Sequence, residues 1–126
     1  MADVQITVKW QDEIIDDHIQ AACEYLSLQF KQDKVDEARH KFKDHRKDLE
    51  RHKAKDVIRA SGLAVLPPTD SEVADHLAKI KAGKPLHPIA LVTDKEKLYV
   101  ADGFHRVCAC YHIADDTDVA GVHIHI

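Results

Sequence analysis

Asp102, Gly103, Phe104, His105 and Arg106 stand where an apolar run, Leu98 to Ala101, gives way to a segment of helical character. Glycine permits a tight turn at such a junction, and the N–H groups after it open a helix whose positive end attracts anions. Arg106 carries a guanidinium able to grip a phosphate through two parallel bonds. His105 can donate to the same group or move a proton near neutral pH. Residue types and spacing together predict a phosphate site built from Gly103, Phe104, His105 and Arg106, with Asp102 at its edge. The same five residues also suit a plain strand-to-helix turn, with Asp102 as a cap and Arg106 in a surface ion pair.

Other clusters are weaker. On a helix, His105, Cys108 and His112 share one side while Cys110 points elsewhere, so the spacing supplies no complete tetrahedral zinc set. His123 and His125 alternate on one strand face, a pattern that fits solvent-facing histidines as well as a metal pair. No metal site is assigned from the sequence. The three cysteines, Cys23, Cys108 and Cys110, form no disulfide framework and fit a reducing compartment.

From Leu63 to about Ile113 the order of motifs resembles the ParB/sulfiredoxin superfamily. Pro67-Pro68-Thr69-Asp70 leads into a helix, Leu86-His87-Pro88-Ile89 begins a strand, a hairpin follows, and Asp102 to Arg106 is similar to the D-G-H-x-R turn of the kinase-like members. The resemblance implies an α+β fold, a small mixed sheet with flanking helices. It implies a nucleotide ligand, ATP, ADP or CTP with Mg2+, at the turn, with His87 on the cleft wall and Lys79 near the phosphates. It also implies Asp102 as a base on a hydroxyl substrate, with His105 beside it, in phosphotransfer or phosphodiester hydrolysis; whether the chain is catalytic is left open. Phe104 stands where sulfiredoxins carry their nucleophilic cysteine, so sulfinic acid reduction is not expected.

The elements that must position this turn follow from periodicity. Val4, Ile6, Val8 and Trp10 alternate as a strand would; Ile15, Ile19, Ala22, Cys23, Leu26 and Phe30 form a helical stripe. Lys34 to Lys55 is expected as one long helix with a narrow seam of Val35, Ala38, Phe42, His45, Leu49 and His52. That seam either closes on the chain's own sheet or forms a homodimer through the N-terminal helices. A further helix is expected from Asp70 or Ser71 to Lys81, strands at Ile89 to Val92 and Leu98 to Ala101, a helix from Phe104 to about His112, and a last strand from Val119 to Ile126. The expected organisation is a mostly helical extension, residues 1–60, before the ParB/sulfiredoxin-like domain, residues 61–126.

The chain has 126 residues and a formal net charge of -4. Residues 34–55 hold nine Lys/Arg against five Asp/Glu, so a basic stretch lies beside an acidic body. This is the alternative functional reading: a non-catalytic module that binds DNA or a protein through the basic helix 34–55. Nucleic-acid binding is then expected to be weak, because the positive surface is narrow. No apolar run is long enough to span a membrane, and the N-terminus does not resemble a secretory signal, so a cytoplasmic protein is expected.

Overall fold

A computed structural model describes residues 6–126 of the chain. The chain is a mixed α+β fold: helix α1 (Asp16–Leu26), helix α2 (Gln32–Asp44), strand β1 (Glu50–Lys53), helix α3 (Ala54–Ser61), helix α4 (Ser71–Lys81), strands β2 (Ile89–Asp94) and β3 (Lys97–Asp102), helix α5 (Phe104–Ile113) and strand β4 (Asp118–His125). The four strands form one sheet in the order β1-β4-β2-β3. β4 runs parallel to β2, while the outer pairs β1/β4 and β2/β3 are antiparallel.

The parallel centre is buried on both faces: β2 opens with the apolar run Ile-Ala-Leu-Val, and β4 is buried from Val119 to Val122 before polar histidines alternate toward its end. Ala90, Val92, Ala101, Val122 and Ile124 point to one face, where α1 and α2 cover them with Ile19, Leu26, Val35, Ala38 and Phe42. Ile89, Leu91, Val100 and Val119 point to the other, where α3, α4 and α5 supply Val57, Ile58, Val73, Ile80 and Val107. The seam expected on the second helix therefore closes on the chain's own sheet, and the apolar residues offered for a homodimer are spent inside the protein. Of the two histidines in that seam, His45 is exposed and bonded to Asp48, and His52 is half-buried on β1.

Two expectations are corrected. The long helix from Lys34 to Lys55 is absent: α2 stops at Asp44, a turn follows, and Glu50–Lys53 is an edge strand paired with Asp118–Gly121. Phe42 and Leu49 pack on one face of the sheet, whereas Ala54, Val57 and Ile58 pack on the other. A single straight helix cannot cross that boundary, so the chain passes it at the sheet edge as β1. The charged Glu-Arg-His-Lys sequence also suits an edge, where charge discourages pairing with another chain. The N-terminal strand is the second correction. Residues 1–5 lie outside the described part, and of residues 6–10 only Trp10 pairs, in an isolated bridge to Leu86.

The boundary expected near residue 60 falls at the end of α3, and strands on both sides of it share the sheet. The first helix is shorter than its stripe suggests, stopping at Leu26 so that Phe30 lies in the turn after it, whereas the later elements lie within a residue or two of their expected positions. Asp70 caps α4 by accepting the Val73 N–H at 3.1 Å. No helix among the described residues is long and apolar enough to cross a membrane.

Candidate functional site

β3 ends at Asp102 and α5 begins at Phe104, with Gly103 between them at φ 105°. That conformation is costly for any residue with a Cβ, and the space is also closed. A Cβ at 103 would lie 2.5 Å from Ile89 Cγ2 and 2.9 Å from Arg106 Nη2. Glycine is thus required twice over, for its backbone and for the close approach of the neighbouring strand. Helix α5 starts with no side-chain cap and no acidic residue in its first turn. The Phe104 and His105 N–H groups come before the first intrahelical bonds, which Arg106 and Val107 make to the Gly103 carbonyl, and so lie at the positive end of the helix.

Beneath the turn lies a buried polar chain. Arg106 is 5% exposed. Its Nη1 donates to the His87 carbonyl at 2.6 Å and the Pro88 carbonyl at 2.9 Å, and its Nη2 donates to Asp102 Oδ2 at 2.6 Å. The same carboxylate oxygen lies 2.8 Å from Nδ1 of His18, which arrives from α1. The His18 ring also leans on His87 at a centroid separation of 4.9 Å. Burial would push the Asp102 carboxyl up, but the His18 hydrogen bond and the Arg106 charge outweigh it and hold the group below the ordinary carboxylate range.

Above the turn, His105 Nδ1 is 3.0 Å from a Glu72 oxygen and its Nε2 is 3.8 Å from Asp70. His76, one turn along α4, is half-buried and its Nδ1 has no partner. Nδ1 of His87 is in the same state. Burial first, then nearby positive charge including Arg106 and Lys79, pushes both rings below the ordinary histidine range. Lys79 is an exposed residue of α4 whose charge reaches both histidines, and Phe104 packs into the core beneath α5.

The structure therefore gathers Asp102, Gly103, Phe104, His105, Arg106 and His87, with Lys79 at the margin, but it distributes their work differently from the sequence reading. Arg106 is not presented to a ligand as a free fork; both of its terminal nitrogens are committed to protein acceptors. Asp102, ionised and holding two donors, is a poor base and a good anchor. It orients His18 as a carboxylate orients a catalytic imidazole, leaving the far ring nitrogen as the base-like atom. His18 was missed because it comes from a helix 84 residues away in sequence, and nothing in the α1 pattern distinguishes it from a polar position at the rim of the stripe. His76 lies nearer, on α4, and was missed because the pattern of that helix does not mark its burial.

The remaining candidates separate. His112 Nε2 is bound to the Leu66 carbonyl at 2.7 Å, and Cys108 Sγ accepts the Leu66 N–H at 3.5 Å, so His105, Cys108 and His112 do not converge. Burial pushes the Cys110 thiol up to about 12, which makes it a core residue and not a nucleophile. A cavity of about 550 Å³ lined by Ile6, Thr7, Val8, Arg51 and residues 113–118 lies away from the turn. The chain matches no protein-family model, no curated protein and no solved structure.

Proposed function

We propose that this chain binds a small phosphate-bearing ligand, a nucleotide in the first place, over the Gly103 turn, within a ParB/sulfiredoxin-like arrangement. The observation that carries the reading is the uncapped start of α5 seated on the buried Arg106–Asp102–His18 chain. A phosphate there would take the Phe104 and His105 N–H groups and the His105 ring, while Arg106 supplies positive potential from below without leaving its carbonyls. Asp70 and Glu72 place negative charge beside His105, which favours a ligand carrying Mg2+ over a bare polyphosphate. Phosphoryl transfer or phosphodiester hydrolysis is the chemistry that fits, with His18 as the proton acceptor and Asp102 its orienting group.

Thermal-shift titration with ATP, ADP, CTP and inorganic phosphate, each with and without Mg2+, tests this directly. A ligand at a hundred times its dissociation constant stabilises the fold by about 2.7 kcal/mol. His105→Ala should keep the parent's melting temperature and lose the ligand-dependent rise. An equal rise in parent and variant would place binding elsewhere.

The alternative, nucleic-acid binding through residues 34–55, has less in its favour. Lys34 is paired with Asp94, Lys41 with Glu37, and Arg46 with Asp16, so three of the nine positive charges are answered within the chain, and the break of the helix at Asp44 divides the rest among α2, a turn, β1 and the start of α3.

A further inference from the structure

Away from the Gly103 turn, three donor groups meet at the β1 edge of the sheet. Glu50 and His52 are two residues apart on β1 and so share a face. His123 lies on the neighbouring strand β4, two residues beyond the Gly121 that pairs with Glu50. Glu50 Oε2 is 3.3 Å from His123 Nδ1 and 3.4 Å from His52 Nε2, and one ligating atom from each of the three residues falls within 4.8 Å of the others.

Those separations are long for hydrogen bonds and right for something else. Ligand bonds of about 2.0–2.1 Å in a tetrahedron place neighbouring donor atoms about 3.4 Å apart. Two of the three edges are thus already at the length a tetrahedral ion requires, and the third, no longer than 4.8 Å, joins the ring of His123 to that of His52, which is half exposed on an edge strand and has room to adjust. The outer contact is also in place. The other ring nitrogen of His123, Nε2, is 2.7 Å from Thr93 Oγ1 on β2. With Nε2–H donating to that hydroxyl, the Nδ1 lone pair is turned toward Glu50, the arrangement by which proteins fix a metal-binding histidine. By spacing alone the sequence draws attention to His123 and His125. His125 stacks on His123 at 4.8 Å between centroids and is not among the three convergent donors.

We propose that Glu50, His52 and His123 form a Zn2+ site with Thr93 as its positioning residue. Two imidazoles and one carboxylate match the ligand preferences of Zn2+ and are poor in the oxygen donors that Mg2+ and Ca2+ demand. Three protein ligands leave a fourth position, and a trough of about 290 Å³ lined by His52, His123, Val57, Leu91 and Leu98 adjoins two of the three ligands. That position is water's in the resting site, and the apolar walls beside it suit a small organic ligand with one coordinating atom.

The test uses the full untagged chain after chelator treatment, titrated with ZnCl2 by calorimetry and with CoCl2 by visible absorption. One equivalent of Zn2+ should bind, MgCl2 and CaCl2 should not compete, and Co2+ should give the intense d–d bands of a tetrahedral ion. His52→Ala and His123→Ala should each lower affinity at least tenfold, whereas Thr93→Val should lower it about ten- to a hundredfold with the melting temperature retained. His125→Ala should leave affinity within twofold. Absence of stoichiometric binding, binding that survives both His52→Ala and His123→Ala, or loss on His125→Ala alone would each overturn the assignment. A Co2+ spectrum of octahedral type would do the same.

Discussion

Replacing Asp102 by Asn removes one charge and almost no volume, and therefore isolates the anchor beneath the turn. In the parent, the Arg106 guanidinium is 5% exposed and its charge is answered by the Asp102 carboxylate. Removing one partner of a buried pair costs about 3–5 kcal/mol, because the other charge is left without compensation. Here the cost falls at or just below the lower end: the Asp102 side chain is 18% exposed, and the His87 and Pro88 carbonyls still accept from Nη1. The amide also turns an N–H toward groups that are themselves donors. A loss of about 2–3 kcal/mol is expected, and with an unfolding entropy of about 2 cal/mol/K per residue this lowers the melting temperature by about 8–12 °C. Calorimetry and guanidinium titration at pH 7 measure it, the slope against denaturant staying unchanged. The pH dependence gives a second readout. The folded carboxyl titrates below its unfolded value, so its contribution is present above about pH 3.9 and is lost as pH falls through the lower folded value. The gap between parent and variant should therefore narrow in acid. A shift under 2 °C at pH 7, or a gap that does not depend on pH, would refute the buried anchor. So would strict additivity with Arg106→Met, since partners in one ion pair must couple.

Three further outcomes follow. Gly103→Ala should cost about 2–4 kcal/mol, combining left-handed backbone strain with the overlap against Ile89, while Gly62→Ala, also left-handed but with nothing within 4 Å of a Cβ, should cost about 1 kcal/mol; equal losses in chemical denaturation would show that the contact is irrelevant. Burial depresses His76, His87 and His123, so folding is favoured above their unfolded value, about pH 6.5, and that stability drains as pH falls through the lower folded values; melting curves should drop below pH 6.5, and His76→Gln and His87→Gln should each flatten the slope. Any DNA affinity should fall steeply with salt and vanish on joint neutralisation of Lys43, Lys47, Arg51 and Lys53, whereas sequence-selective binding at high salt in fluorescence anisotropy would make nucleic-acid recognition the primary activity.

What the sequence disclosed and what it hid divide along the range of the interactions. The Asp102 to Arg106 turn was legible because a strand end, a glycine and a helix start are adjacent in the chain, and each leaves a local mark. Asp70 before Ser71, the apolar run of β2 and the alternation of Val122 and Ile124 with His123 and His125 in β4 were legible for the same reason. The break of the second helix was not. Residues 45–53 are polar and compatible with a helix by propensity, and only the need to carry Phe42 and Leu49 to one face of the sheet and Val57 to the other forces a strand between them. The site divides in the same way. Arg106 was expected to face a ligand because a surface arginine and a buried one are identical in sequence, and its burial is decided by two carbonyls 18 and 19 residues upstream. His18 and the Glu50/His52/His123 cluster exist only once distant strands and helices have docked. Both candidate centres thus share a construction. A residue of the C-terminal half supplies a group on a rigid element, and residues from the N-terminal sixty supply the partners that give it chemistry: His18 for Asp102, Glu50 and His52 for His123. The N-terminal residues carry no motif of their own, yet neither centre is complete without them.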